Sequence, residues 1–104
     1  MKELSQEEWK AKLEKDDQAV ILDVRTQDEV EDGYIPSAKN LDFYKGQEFI
    51  NEVEKLDKDK NYYIYCRSGK RSAQACTILD QMGFANTYNL AGGFMEWEGE
   101  KAED

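Results

Sequence analysis

The sequence predicts an α/β fold of a single domain, residues 1–104, in which helices cover both faces of a mostly parallel sheet. Three observations carry that expectation. Short apolar runs alternate along the chain with segments of helical period, the order that builds parallel sheets. The run Ala19–Val24, AVILDV, is apolar throughout but for Asp23, rather than alternating, as suits a strand buried on both faces. A third run ends at Cys66 and passes through a glycine loop into a helix-like segment, so a chemically active side chain stands at the carboxyl end of a strand, where such sheets bind ligands.

Each element follows from local chemistry. Ser5 reads as a helix N-cap with Glu8 three residues on, a capping box, and Leu4 and Trp9 stand at the staple positions. Trp9 and Leu13 share a face, and that helix should end near Asp16 and Asp17. After the strand 19–24, the acidic stretch Asp28 to Glu31 predicts one helical turn, closed by Asp32 and Gly33. Pro36 fixes a turn before a weak strand over Ala38 to Leu41. Phe49, Ile50, Val53 and Leu56 recur at helical spacing and predict a helix over Gly46 to Leu56, followed by a charged loop to Lys60. Tyr62 to Tyr65 is the strand leading into Cys66. Ser72 to Met82 is a helix with Ala75, Cys76, Leu79 and Met82 on one side. Gly83 suits the C′ position, with Phe84 packing back on Leu79. Thr87 to Leu90 is a strand, Gly92 and Gly93 open a short helix through Trp97, and residues 98–104 form a charged tail expected to fray.

Composition removes several function classes. With 14 basic and 23 acidic residues the formal charge is −9, which opposes binding to nucleic acid or to an anionic membrane. No apolar run approaches the length that spans a bilayer, and the first residues carry no signal-like apolar stretch, so a cytoplasmic location is the expectation. Histidine is absent, which excludes Cys–His and Ser–His nucleophile pairs and leaves no usual zinc ligand set, since the chain has only two cysteines. A disulfide between Cys66 and Cys76 is disfavoured if a helix lies between them.

Against that acidic background the stretch CRSGKRS, Cys66 to Ser72, places Arg67, Lys70 and Arg71 within five residues of the thiol. A cysteine reacts as its thiolate, and its ordinary pKa of about 8.5 leaves it mostly protonated at neutral pH. Two devices can hold the anion here. One is the charge of Arg67, Lys70 and Arg71. The other is a ring of backbone N–H groups that Gly69 permits and the following helix N-terminus completes, with Ser68 and Ser72 adding hydroxyls. The bland alternative is a buried strand-end cysteine beside solvated cations. The immediate succession of cysteine, cationic glycine loop and helix start favours function. Cys76, mid-helix on the apolar face, reads as inert packing. Both sulfur transfer and phosphoryl transfer fit such a loop. Four residues separate Cys66 from Arg71, one short of the spacing with which cysteine phosphatases close a phosphate cradle, and Ser72 stands where that arginine would. The tighter ring suits a single terminal sulfur better than a tetrahedral phosphate.

These residues resemble the rhodanese family of single-domain sulfurtransferases. The segment LDVRTQDEVEDGYIPSAKNLDF, Leu22 to Phe43, is similar to the family's Asp-x-Arg … Glu … Gly-His-Ile-Pro-x-Ala-x-Asn pattern. IYCRSGKRSAQA, Ile64 to Ala75, is similar to its Cys-Arg-x-Gly-x-Arg-Ser loop, and LAGGFMEW, Leu90 to Trp97, to its Gly-Gly-x-x-x-Trp ending. The resemblance implies a three-layer sandwich around a parallel sheet of about five strands, including a short one at Lys2 to Leu4 that pattern alone does not reveal. It implies that Cys66 takes a sulfur atom from a small anionic donor such as thiosulfate, carries it as a persulfide, and yields it to cyanide, a thiol or a sulfur-acceptor protein. It implies that Arg67, Ser68, Gly69, Lys70, Arg71 and Ser72 bind the donor and cradle the persulfide, with no metal or organic cofactor, in a monomer or weak dimer. Tyr34 stands where the family usually has histidine, and Ser37 where it usually has glycine. Asp23, Arg25 and Glu29 are expected to form an internal ion-pair network, since buried charges are usually paired. Pro36 and Asn40 read as turn and backbone-capping residues, and Gly92 and Gly93 as shape-determining glycines. The competing classes are a non-catalytic or regulatory module of this fold and, further off, a cysteine phosphatase or arsenate reductase.

Overall fold

The computed structural model describes residues 1–103. Strands β1 (Lys2–Leu4), β2 (Ala19–Asp23), β3 (Lys39–Asn40), β4 (Asn61–Tyr65) and β5 (Asn86–Leu90) form one sheet in the order β1-β5-β4-β2-β3, with every pairing parallel. Helices α1 (Gln6–Glu14), α2 (Gln27–Glu31), α3 (Gln47–Glu54) and α4 (Lys70–Gln81) connect them, with 3₁₀ turns at Phe43–Lys45 and Phe94–Glu96. Chain order reverses direction between the adjacent strands β2 and β4, so the loops that follow them diverge and leave a crevice at their carboxyl ends, the usual ligand position in such sheets.

The sheet is buried on both sides, and alternation along β4 sorts the core. Tyr62 and Ile64 point to the side where α3 and α4 bring Phe49, Val53, Ala75, Cys76 and Leu79. Tyr63 and Tyr65 point to the other, where α1 brings Trp9 and the chain end brings Trp97. Trp9 is the hub of this second layer, edge-on to Tyr63, Tyr65 and Trp97 at centroid distances of 5.7, 6.3 and 5.5 Å, and its indole N–H donates to the Tyr88 carbonyl. Burying a side chain of this kind contributes roughly 1.5–3 kcal/mol.

The caps follow the sequence. Ser5 and Glu8 form the capping box of α1, and Leu4 and Trp9 lie in the same cluster. Gly83 N–H bonds the Asp80 carbonyl and Phe84 N–H the Leu79 carbonyl, the paired bonds of a Schellman ending. Several boundaries move. The acidic turn begins at Gln27 because Thr26 and Glu29 form a second capping box. The helix expected from Gly46 starts at Gln47, after Asp42 has capped a separate 3₁₀ turn. The third strand keeps only Lys39 and Asn40. The helix expected from Ser72 begins at Lys70, so Arg71 and Ser72 lie in its first turn. The tail expected to fray carries an antiparallel bridge, with Tyr34 and Ala102 exchanging hydrogen bonds of 3.0 and 2.8 Å. Among the described residues no helix is long and apolar enough to cross a membrane.

Candidate active site

Cys66 follows the central strand β4, and its side chain is buried. The chain then turns sharply, with Gly69 at φ 101°, a left-handed conformation that disfavours a side chain. A Cβ there would also sit 3.3 Å from the Leu90 carbonyl oxygen. The turn brings the backbone back over the thiol. Gly69 N–H donates to Cys66 Sγ at 3.1 Å, and Ser72 N–H and Oγ lie at 3.4 and 3.3 Å. Helix α4 has no side-chain N-cap. The sulfur itself accepts from the N–H groups that an ordinary capping oxygen would satisfy.

The thiol's acidity reflects two opposed effects. Burial pushes its pKa up. The hydrogen bonds from the Ser72 hydroxyl and from the amides of Ser72, Gly69 and Ser68 outweigh it, and the net displacement is downward. The hydrogen bonds on the sulfur thus come from neutral donors. Cys76 has no such ring. Burial, then the nearby Asp80 charge, push its thiol up to about 12. Both cysteines are free, and no disulfide joins them.

The three cations occupy different places. Arg71 forms a bidentate pair with Glu29, Nη1–Oε1 2.7 Å and Nη2–Oε2 2.9 Å, with its guanidinium 5.0 Å from the Tyr44 ring centroid. Beside that guanidinium, Glu29 is held down at about 2, against some opposition from its own burial. Glu29 also accepts from Thr26 N–H and Oγ1, so one carboxylate caps α2 and anchors the first turn of α4. Arg67 and Lys70 are exposed. Arg67 lines a groove of about 330 Å³ with Arg25, Glu29, Asp32, Phe94 and Met95. Ser68 is exposed and reaches Cys66 through its amide.

The loop is held from outside by the Gly-Gly segment. Phe94 N–H donates to the Cys66 carbonyl at 2.8 Å and Met95 N–H to the Arg67 carbonyl at 3.0 Å. Gly93 makes this approach feasible, because a Cβ on it would collide with the Arg67 carbonyl and lie 2.7 Å from Ser68 N. The internal network is present as expected for Asp23 and Arg25. Arg25 clasps Asp23 through Nε–Oδ1 at 2.9 Å and Nη2–Oδ2 at 2.7 Å, donates to the Gly33 carbonyl, and lies 4.4 Å from the Phe94 ring centroid. Tyr65 Oη donates to Asp23 Oδ2 at 2.7 Å and accepts from Ile35 N–H. Asn40 Nδ2 donates to the carbonyls of Asp23 and Arg25, the capping role its position suggested.

Sequence reasoning missed Asn89. It is fully buried on β5, its Oδ1 lies 2.5 Å from Ser72 Oγ, and its Nδ2 donates to the Gly69 carbonyl at 3.1 Å. Its strand reads NTYNL, polar at several positions, so no local pattern singles out Asn89. Among the described residues no cluster of acidic or cysteine side chains is arranged to hold a metal ion.

A crossed α/β sheet with a glycine-turned, amide-ringed cysteine at its central strand end defines a thiol-chemistry site of the rhodanese type. The family model for the rhodanese-like domain matches residues 5–100, and the chain belongs to that family. It is 43% identical over 100 residues to YtwF of Bacillus subtilis strain 168, covering 96% of this chain and 93% of that one. It is 38% identical over 92 residues to the thiosulfate sulfurtransferase GlpE of Coxiella burnetii, covering 88% and 81%. A crystal structure of a rhodanese-like domain protein from Staphylococcus aureus superposes with a TM-score of 0.85 at 32% identity, over 100% of this chain and 99% of that one. These similarities run the length of the domain and place the chain with the rhodanese-family sulfurtransferases.

Proposed function

We propose that Cys66 carries sulfane sulfur, accepting it from thiosulfate or a persulfide donor and passing it to a thiophilic acceptor. The observation that carries this reading is the ring of groups closing on one sulfur, the donating amides of Gly69 and Ser72 with the Ser72 hydroxyl oxygen at 3.3 Å, around a thiol of lowered pKa. In the first step the Cys66 thiolate attacks the outer sulfur of thiosulfate. The new S–S bond forms as the old one breaks, and sulfite leaves with the electron pair. The product persulfide bears the negative charge on its outer sulfur, which the amides of residues 67–72 are suited to receive. In the second step cyanide, a thiolate or an acceptor protein's thiol attacks that outer sulfur, and Cys66 leaves as thiolate.

The exposed Arg67 and Lys70 bring an anionic donor to the mouth, while Ser68, Gly69 and Ser72 receive the sulfur. Arg71 supports the loop through Glu29 and reaches the donor as a second, weaker contact. The test is intact mass after thiosulfate and then cyanide. A gain of about 32 Da, mapped to Cys66 and removed by cyanide, is expected in the wild type and absent from Cys66→Ser at near-unchanged melting temperature. A folded protein that gains no sulfur from thiosulfate or from a persulfide donor overturns the reading. It would favour the phosphatase or the binding module instead.

A further inference from the structure

The Ser72 hydroxyl has one proton and two neighbours that want it. Its oxygen is 2.5 Å from Asn89 Oδ1 and 3.3 Å from Cys66 Sγ. The orientation of the Asn89 amide is not a free choice. Its NH₂ group faces the Gly69 carbonyl at 3.1 Å and Glu3 Oε1 at 3.2 Å, both acceptors, so a flipped amide would set oxygen against oxygen on that side. Oδ1 therefore faces Ser72 and must accept. While Cys66 is a thiol the chain of bonds is consistent: S–H donates to Ser72 Oγ, and Ser72 O–H donates to Asn89 Oδ1. When Cys66 loses its proton, a Ser72 hydroxyl that stays on Asn89 leaves the anion only the Gly69 and Ser72 amides, and one that swings to the sulfur leaves Asn89 Oδ1 buried without its donor and close to another oxygen. An orphaned buried acceptor opposes that state.

We infer that Asn89 is a positioning residue that restrains ionisation of Cys66 by competing for the Ser72 hydroxyl proton, a role that rests on the sulfur-transfer reading of this loop. The restraint acts on the free thiolate. In the persulfide the charge moves to the outer sulfur, and the hydroxyl can return to Asn89. The Asn89–Ser72 pair thus favours the loaded form over the free thiolate. Other charges facing the site are Glu3 from β1 at the Asn89 amide, and Arg67, Lys70 and Arg71 around the loop. Arg71 and Cys76 also act electrostatically on Cys66, and Glu29 acts through Arg71.

The test is the pH dependence of Cys66 alkylation by iodoacetamide, which needs no sulfur donor and so stands even if sulfur transfer fails. Asn89→Leu should speed alkylation at pH below the wild-type midpoint by about threefold or more, half a pH unit of displacement being a factor of about three. In a Ser72→Ala background the same substitution should change nothing. A slower reaction in Asn89→Leu, or an equal effect with and without Ser72, would mean that Asn89 only props the Gly69 carbonyl, and the inference fails. Should Asn89→Leu not fold, the wild type supplies the measurement. The carbon-13 shift of the Asn89 side-chain carbonyl should titrate with the alkylation midpoint, and that inflection should vanish in Ser72→Ala. A flat wild-type titration overturns the proposal equally.

Discussion

Glu29→Gln removes one charge from the strut between α2 and α4 and keeps the shape of the side chain. The structure sets the size of the effect. Glu29 ionises at about 2 in the fold instead of its ordinary 4.5. At about 1.4 kcal/mol per pH unit that displacement sets a ceiling of about 3.4 kcal/mol. The side chains of Arg71 and Glu29 are 16% and 28% exposed, so solvent screens part of it. Hydrogen bonds from Thr26 N–H and Oγ1 account for another part and survive in the amide. A loss of about 1–2 kcal/mol at pH 7 is expected, or roughly 4–8 °C in Tm for a domain of this size. The sign of the pH dependence follows from the lowered pKa. The contribution is whole above pH 4.5 and fades as pH falls toward about 2, where the folded carboxyl also takes up a proton. Thermal unfolding of wild type and variant, followed by circular dichroism from pH 7 down to pH 2.5, should give curves that converge over that window. Parallel curves, with the same gap at both ends or none at either, would refute the claim that the ion pair stabilises this corner of the site.

The remaining expectations concern single atoms. Gly93→Ala forces a Cβ onto the Arg67 carbonyl from a residue at φ 63°, so it should cost about 2–4 kcal/mol in denaturant unfolding and slow Cys66 alkylation at neutral pH. Ser37 sits at φ 73°, where a side chain is strained, and Ser37→Gly should raise the urea midpoint by an amount equal to about 0.5 kcal/mol, the relief partly offset by the freer unfolded chain. Cys76→Ala should keep sulfur uptake and lose roughly 1 kcal/mol of stability, since the thiol is buried in packing and stays protonated; loss of uptake would mean that Cys76 is the reactive thiol.

Elements with a local cause were legible in the chain. The Ser5–Glu8 box, the Gly83–Phe84 ending and the apolar run Ala19–Leu22 of β2 each act within a few residues, so their spacing could be read directly. The Cys66 loop was legible for the same reason, because glycine, cysteine and helix start are consecutive. Strand β1 was not. It is three residues long, carries Lys2 and Glu3, and exists because Leu4 and its neighbours pair with β5 more than eighty residues away. Asn89 escaped for a related reason: its partners Ser72, Gly69 and Glu3 lie on α4, the Cys66 loop and β1, and nothing local marks it. The Arg71–Glu29 pair was hidden for the same reason, since Glu29 lies on another helix. The second Thr26–Glu29 box was visible in principle, but the helix it starts has only five residues and little period to display.

The division of labour among charged groups explains why an acidic chain concentrates cations at this one loop. A buried cation beside Cys66 would pay desolvation to hold the thiolate, and it would lower the sulfur's basicity and with it the nucleophilicity. Amide N–H groups already fixed by the Gly69 turn and the start of α4 hold the sulfur without the desolvation of a full charge, and they are placed before the donor arrives. The cations are then available for other tasks. Arg71 is committed to Glu29, where it fixes the first turn of α4 that presents Ser72. Arg67 and Lys70 remain exposed at the entrance. In the proposed reaction they work at the distance where local charge dominates, because beyond the Debye length of about 8 Å at physiological ionic strength the net −9 of the chain is largely screened. A dianionic donor that comes within that distance meets the local charges of the loop, Arg67 and Lys70 among them, with Glu29 and Asp32 the acidic side chains that line the Arg67 groove. In the proposed reaction the nucleophile is tuned mainly by neutral dipoles, and recognition of an anionic donor falls to side chains that never need to touch the reacting sulfur.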